Sequence, residues 1–453
     1  MPWRALLPTR AAVLALVALA VASGVALMAG AALDQVAPAC GMAVLAGLIW
    51  TAFDIARARR MAREDALRIE RRAPSAFALG VASRVRLVIF NESSRAWRVR
   101  VFDEADPSLA VEGMPQDVDV PPNAQVEVTY TVTPTRRGPV RFGGTQLRWR
   151  SPGGVFEVQQ AAGQAGDARV YPNFAAVAGY AWLAGDRRLS EIGIKQFAQR
   201  GAGTDFRQLR DYTPGDPIRH IDWKASLRQG KPVVREFQDE RDQRVFFLLD
   251  CGRRMRADES GQRTGGSHFD QALNALMLLG YVALKEGDEV GAMTFGTSPG
   301  QERHFAPRKG VSMLNALVNR LYDVEPEPVH SDYLRAAREF MSRHPRRAFV
   351  IMLTNFRGDD AAELRPALRM LRQRHLVMVA SLRETVLREI AQQPIMHADD
   401  AVEVAAAHRF AQQRHDAFLR TTGNDPLSVD IEPAALPAAL VNRYHAVKRA
   451  GLL

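Results

Sequence analysis

From residue 11 to residue 33 every side chain is apolar or small. A helix rising about 1.5 Å per residue over that length crosses the roughly 30 Å hydrocarbon core of a bilayer. A second apolar run, 36–53, follows after only Asp34 and Gln35, so the two runs form a hairpin with almost nothing on its far side. Basic residues flank it at both outer ends: Arg4 and Arg10 before it, then Arg57, Arg59, Arg60, Arg63, Arg68, Arg71 and Arg72 after it. By the positive-inside rule both ends, and everything after Arg72, face the cytoplasm, which predicts a two-helix anchor in the inner (cytoplasmic) membrane. A cleaved signal peptide would not be followed at once by a second span and a basic stop.

The rest of the chain is ordinary in composition, with 47% hydrophobic and 24% charged residues. At 453 residues it is too long for one core and suits two or three domains. The 60 Lys and Arg against 50 Asp and Glu leave a net charge of +10, much of it beside the hairpin, where it suits lipid headgroups before nucleic acid. Cys40 and Cys251 are the only cysteines, which excludes a disulfide framework and a cysteine-based metal cluster.

Between residues 76 and 170 hydrophobicity alternates with period two, as in Trp97-Arg98-Val99-Arg100-Val101 and Val126-Glu127-Val128-Thr129-Tyr130-Thr131-Val132. Turn-rich breaks such as Pro121-Pro122-Asn123 and Ser151-Pro152-Gly153-Gly154 separate the runs, which predicts an antiparallel sandwich of immunoglobulin-like type. From Arg244 the rhythm changes to continuous apolar runs alternating with helical stripes. Strands are predicted at 244–250, 289–295, 348–354, 376–381 and 427–431, and helices at 269–285, 312–322, 332–343, 362–374, 399–421 and from 434 onward. That alternation implies a doubly wound α/β sheet covered on both faces. The predicted organisation is therefore a hairpin with basic flanks (1–72), a β-sandwich (73–170), a connecting segment (171–243) and an α/β domain (244–453).

The connecting segment contains Thr204-Asp205-Phe206-Arg207-Gln208-Leu209-Arg210-Asp211-Tyr212, Pro214-Gly215-Asp216, Ile221-Asp222-Trp223-Lys224-Ala225-Ser226 and Val234-Arg235-Glu236-Phe237, followed by the strand ending at Asp250. This combination resembles the signature of the domain of unknown function 58 family. Arg137-Gly138 and Pro152-Gly153-Gly154-Val155-Phe156 upstream, and Val441-Asn442-Arg443-Tyr444 near the end, are similar to the same family's sandwich and tail. The resemblance implies a membrane hairpin, a sandwich and a von Willebrand factor A-like domain, in proteins associated with AAA+ ATPases of the MoxR type.

Such A-like domains use Asp-x-Ser-x-Ser with a Thr and an Asp from later loops to hold a divalent cation, since a hard cation needs several oxygens at once. Here the stretch reads Asp250-Cys251-Gly252-Arg253-Arg254, so the two serine positions hold Gly252 and Arg254. Asn355 stands where the second acid belongs, and His330-Ser331-Asp332 occupies the approximate Thr region. A guanidinium beside one carboxylate repels a cation, so no cofactor or metal is expected at this degenerate adhesion site. Arg254 either turns inward to pair with Asp250 as a fixed cation or points into solvent.

In the signature segment Arg207, Arg210, Arg219, Lys224, Arg228 and Arg235 are interleaved with Asp205, Asp211, Asp216, Asp222 and Glu236. Such cancelling charge disfavours a nucleic-acid stripe. Pro214-Gly215-Asp216-Pro217 signals a turn, under which Trp223 is expected to pack as part of a clasp of paired charges. Tyr212 completes the candidate set. His220, Asp222, Ser226 and Cys251 supply the ingredients of a hydrolase, but none sits in a nucleophile elbow or Cys-His setting, and the chain has neither a Walker loop nor HExxH. The favoured expectation is a non-enzymatic, membrane-anchored adaptor for a MoxR-type AAA+ ATPase or its client. A membrane hydrolase built on His220, Asp222 and Cys251, or an anionic-lipid or nucleic-acid binder, are the alternatives.

Overall fold

The computed structural model describes residues 3–173, 205–213, 216, 218–238, 243–257 and 267–452. The chain divides into two compact units, Met1–Val170 and Tyr171–Leu453.

In the first unit a strand, β1 (Trp3–Pro8), leads into α1 (Arg10–Met28) and then α2 (Leu33–Glu64). Both helices are long and apolar enough to cross a membrane, and protein buries none of either apolar window. Ten antiparallel strands complete the unit: β2 (Arg68–Arg72), β3 (Ala76–Ala78), β4 (Ser83–Asn91), β5 (Trp97–Ala105), β6 (Leu109–Glu112), β7 (Gln116–Val120), β8 (Ala124–Pro134), β9 (Gly138–Arg150), β10 (Phe156–Ala162) and β11 (Gly166–Tyr171). One sheet runs β1-β10-β9-β11-β3, with β5 also bonded to β9 and β7; the other runs β2-β4-β8-β6. The period-two pattern lands as its chemistry dictates. Trp97, Val99 and Val101 enter the core, while Arg98 and Arg100 face water and pair with Asp119 and Asp117, each at 2.7 Å. Trp97 meets Trp149 edge-on at 5.1 Å between centroids.

β1 is a strand where the sequence reading placed only basic flanks. Six residues are too few to display a period, but Leu6 lies opposite Val158 in register with β10. The hairpin is thus rooted in the sandwich at both ends. α2 continues past its apolar stretch, and Asp54, Ala58 and Ala62, spaced by four, are its buried residues. Ala58 and Ala62 join the sandwich core. The Asp54 carboxylate accepts from Ser151 Oγ at 2.5 Å, Gly153 N at 2.5 Å and Val155 N at 3.2 Å. A Cβ at Gly153 would fall 2.7 Å from Asp54 Cγ, so the turn closes on the carboxylate only with glycine there. Thr9 completes the lock from α1, donating from Oγ1 to Gly154 O at 2.8 Å.

Asp54→Ala leaves three donors without their acceptor, which costs about 2–3 kcal/mol locally. Exchange of the Gly153 and Val155 amides should then accelerate by about 30- to 100-fold, whereas Asp54→Asn, which keeps an acceptor, should show a smaller change. Unchanged exchange in Asp54→Ala would contradict the lock.

In the second unit the described residues from 205 onward begin with an antiparallel ribbon, β12 (Asp205–Asp211) and β13 (Val233–Gln238), enclosing a short helix, α3 (Trp223–Gln229). Then β14 (Arg244–Asp250), α4 (His268–Lys285), β15 (Glu289–Phe295), β16 (His304–Arg308), α5 (Val311–Leu321), α6 (Tyr333–Arg343), β17 (Phe349–Thr354), α7 (Ala361–Arg372), β18 (Leu376–Leu382), α8 (Thr385–Gln392), α9 (Ala398–Thr422), β19 (Val429–Ile431) and α10 (Leu436–Arg449) follow. The sheet order is β16-β15-β14-β17-β18-β19, parallel except for the antiparallel edge β16.

The continuous apolar strand Arg244–Asp250 is explained by burial from both sides. Val245, Phe247 and Leu249 pack with Leu273, Leu317 and Tyr444 from α4, α5 and α10. Phe246 and Leu248 pack with Phe340 and Leu368 from α6 and α7. Away from the sheet's carboxyl end, Tyr444 OH donates to Asp288 Oδ2 at 2.5 Å and Lys448 Nζ lies 3.0 Å from both Asp288 and Glu286, fastening α10 to the end of α4. Besides the ribbon and α3, two elements lay outside the sequence expectation: β16, a short edge that carries Pro307 and sends only Phe305 into the core, and α8, an eight-residue helix none of whose residues is buried.

Candidate functional site

β14 has β15 on one side and β17 on the other, so the chain reverses direction across the sheet at β14 and leaves a crevice at the strands' carboxyl ends. Asp250 ends β14 at that point, fully buried. Its Oδ1 accepts from Ser331 Oγ at 2.5 Å and Gly252 N at 2.8 Å, and its Oδ2 accepts from Thr354 Oγ1 at 2.6 Å. Tyr333 OH lies 2.9 Å from Thr354 Oγ1 and extends the chain of hydroxyls. Burial pushes the Asp250 carboxyl above its ordinary range, Asp360 adds in the same direction, and the three donors work against both.

The arrangement explains the glycine. A Cβ at position 252 would stand 2.1 Å from Ser331 Oγ and 2.9 Å from Val329 O. Gly296, at φ +76°, closes the opposite wall, where a Cβ would be 2.8 Å from Gly252 N. The Ser331 hydroxyl therefore occupies the space a serine at 252 would need. Ser331 and Thr354 thus both turn their hydroxyl hydrogens toward the Asp250 carboxylate. Among the described residues no three His, Cys, Asp or Glu side chains gather as a metal-holding group.

The other rim residues are not on Asp250. Arg254 neither pairs with Asp250 nor points freely into solvent; its guanidinium reaches Asp360 at 3.4 Å and Asp359 at 3.5 Å, because Asp250 is sealed behind its own donors. Asn355 Nδ2 donates to Glu384 Oε1 at 3.1 Å and Arg254 O at 3.3 Å. Asp332 caps α6, accepting from Arg335 N at 2.7 Å. Of the residues proposed from sequence, Ser331 and Gly252 meet Asp250, Arg254 and Asn355 belong to an outer ring, and Asp332 only caps its own helix. Sequence reasoning missed Thr354, Tyr333, Asp360, Arg357 and Glu384. The last two form a close ion pair beside Asn355. Thr354 and Glu384 carried one signal that could have found them: each is polar at or just beyond the end of an apolar strand.

The signature segment pairs its charges, but it is not a clasp over Trp223. Arg210 meets Asp216 at 2.5 Å, Lys231 meets Asp211 at 2.8 Å and Arg235 meets Asp222 at 2.9 Å. The Arg210 guanidinium, with Thr213, holds the Asp216 carboxyl well below the usual range. Asp222 caps α3 through Ala225 N at 3.0 Å, and Ser226 Oγ accepts from Val233 N at 2.9 Å. Trp223 is 65% exposed, and Lys224 is exposed beside it. As the first residue of a seven-residue helix, Trp223 projects from the cap that Asp222 makes and does not tuck beneath a turn. Tyr212 donates its amide to Pro232 O at 3.0 Å across the ribbon. Pro214 and Gly215, and the side chains of Arg207 and Glu236, lie outside the described residues. Of the hydrolase candidates, Cys251 is fully buried with Sγ directed at Leu249 O, and both Asp222 oxygens are engaged.

Residues 208–418 match the family described as protein of unknown function DUF58. That segment belongs to DUF58. It takes in α3, the ribbon's second strand, Asp250 and the whole outer ring. The uncharacterized protein YeaD of Bacillus subtilis (strain 168) is 26% identical over 88 residues, a match that spans 19% of this chain and 19% of YeaD. Among solved structures, Salmonella alpha-2-macroglobulin reacted with methylamine is similar over 23% of this chain and 7% of its own at 20% identity and a TM-score of 0.20. A CARDB domain from Pyrococcus furiosus is similar over 23% of this chain and 88% of its own at 14% identity and a TM-score of 0.19.

Proposed function

We propose that the protein is a membrane-anchored, non-enzymatic adaptor. Its hairpin lies in the inner (cytoplasmic) membrane with the soluble units in the cytoplasm, and its α/β domain, von Willebrand factor A-like, offers the sheet's carboxyl-end rim to a MoxR-type AAA+ ATPase or that ATPase's client. The observation that carries this reading is the self-satisfied Asp250: the carboxylate at the crevice is closed by Ser331, Thr354 and Gly252, which leaves it nothing to offer a metal or a substrate. The outer ring is polar: Asn355, Asp360 and Glu384 are buried and hold the partly exposed guanidinium groups of Arg254 and Arg357, which are the part of the ring a partner can reach. A mostly parallel sheet with helices on both faces and an acid ending the strand at the chain reversal supports the A-like assignment. The buried Cys251 argues against the hydrolase.

The test is recovery of partners with the full chain from detergent-solubilised membranes under ATP, ADP and nucleotide-free conditions. An AAA+ ATPase is expected in at least one nucleotide state. Its absence from all three would overturn the adaptor reading.

A further inference from the structure

Beside the rim stand α8 and the first half of α9, which the core hardly uses. No residue of α8 is buried, and Ala407 is the one buried residue in the first half of α9. Along the open side of α9, Val402, Ala406 and Phe410 recur every four residues, a spacing that aligns them in one stripe. Ile395 and Met396, in the loop between α8 and α9, add to the apolar surface at the same end. The large members, Ile395, Met396, Val402 and Phe410, keep between 42% and 75% of their surface exposed. Isolated exposed apolar residues are ordinary, but a set gathered at one tip marks an interaction surface.

The tip is built to hold that shape. Asp400 accepts from Met396 N at 2.9 Å and His397 N at 2.8 Å, fixing the loop to the start of α9. Gln393 Nε2 donates to Glu403 Oε2 at 3.3 Å across the loop. The base is tied to the rim: Glu384, the residue before α8, bonds Asn355 and Arg357, and the Arg357 guanidinium lies 5.4 Å from the centre of the Phe410 ring.

Charge says what the tip fits. Residues 389–408 hold Glu389, Asp399, Asp400 and Glu403 and no Lys or Arg, and of the two arginines that bound the stretch, Arg388 is paired with Glu432 while Arg409 is exposed at the Phe410 end, in a chain whose net charge is +10. Anionic lipid headgroups and nucleic-acid phosphates are repelled by such a surface. A protein surface with an apolar pocket bordered by lysines or arginines complements it in both respects. We infer that the α8–α9 tip docks a protein partner through such a basic-rimmed apolar pocket. The inference rests on the adaptor reading only for the identity of that partner as the ATPase.

The experiment is photo-crosslinking from p-benzoylphenylalanine placed at Val402 or at Met396 in the full chain in its native membranes, with exposed Thr129 of β8 as the control position. Cross-linked peptides are then sequenced by mass spectrometry. Cross-links are expected from both tip positions and not from Thr129, into a partner peptide where apolar residues adjoin Lys or Arg. Their yield should fall about tenfold or more when Asp399→Lys and Glu403→Lys are combined. Asp400 is left intact because it holds the loop, and unchanged amide exchange in β14 verifies that the variant is folded. If the captured protein is an AAA+ ATPase, both readings stand; if it is another protein with that chemistry, the docking inference stands and the ATPase reading falls. Cross-links to lipid or to a second copy of this chain, none above the Thr129 level, or a yield indifferent to charge reversal would overturn the inference.

Discussion

Gly252→Ser, which supplies a serine two residues after Asp250, is expected to destabilise the α/β unit by about 4 kcal/mol and to confer no affinity for magnesium. The added Cβ meets Ser331 Oγ at 2.1 Å and the Val329 carbonyl at 2.9 Å. Rotating Ser331 away relieves the first contact but removes a donor from a fully buried carboxylate, a loss of about 1–3 kcal/mol. The second contact is with backbone, and Val329 O is held by the Arg253 amide at 2.8 Å, so relief requires a shift of the loop at about 1–3 kcal/mol more. Amide exchange in β14 of the full chain, with and without magnesium, measures both effects. The combined Gly252→Ala and Ser331→Ala change should cost less than the sum of its parts, because the second removes the atom the first collides with. A Gly252→Ser protein as stable as the parent, and further protected by magnesium, would show that the site is an open cation cage after all.

How much of this was legible beforehand follows from what each residue must satisfy. The strands of the α/β sheet are buried on both faces, so Val245 through Leu249 form an unbroken apolar run whose end is visible as Asp250. Helices such as α4, α6 and α7 fell within a few residues of expectation because each carries one core stripe. The site was legible only as far as chain position carries chemistry. Asp250 and Ser331 are each visible in the sequence, but nothing in their spacing says that the serine hydroxyl donates to the carboxylate. Arg254 chose Asp360, more than a hundred residues away, and no local pattern encodes that choice. Trp223 misled because an aromatic amid charges usually finds cover, whereas here it stands at the exposed start of a short helix. Asp54 was hidden by its place at the end of an apolar run, its partners lying about a hundred residues on.

Arg414→Met should rank with Gly252→Ser in cost, at about 3–5 kcal/mol, for the opposite reason: it removes a cation from a buried pair. Arg414 lies on α9 with its guanidinium buried, donating to Phe356 O at 3.1 Å, Ser381 Oγ at 3.0 Å, Leu382 O at 2.9 Å and Asp430 Oδ2 at 2.5 Å. Those acceptors belong to the loop after β17, the end of β18 and β19, so one side chain gathers three strand ends. Methionine fills much of the volume, so packing loss is small, but the Asp430 side chain, 4% exposed, is left as a charge without its partner. Amide exchange in β18 and β19 should accelerate by about 100- to 1,000-fold. Adding Asp430→Asn should recover part of the loss by removing the stranded charge, and Arg414→Lys should fall between, since an ammonium cannot span four acceptors as the planar fork does. The effect should extend to the rim. Ser381 Oγ also accepts from Phe356 N at 3.2 Å, next to Asn355, so freeing Ser381 loosens the strand ends that hold Asn355 against Glu384 and, through Glu384, the base of the α8–α9 tip. Partner capture should weaken in Arg414→Met although Arg414 itself is buried; capture at full strength, with β18 and β19 deprotected, would mean that the tip stands independently of the strand ends beneath it.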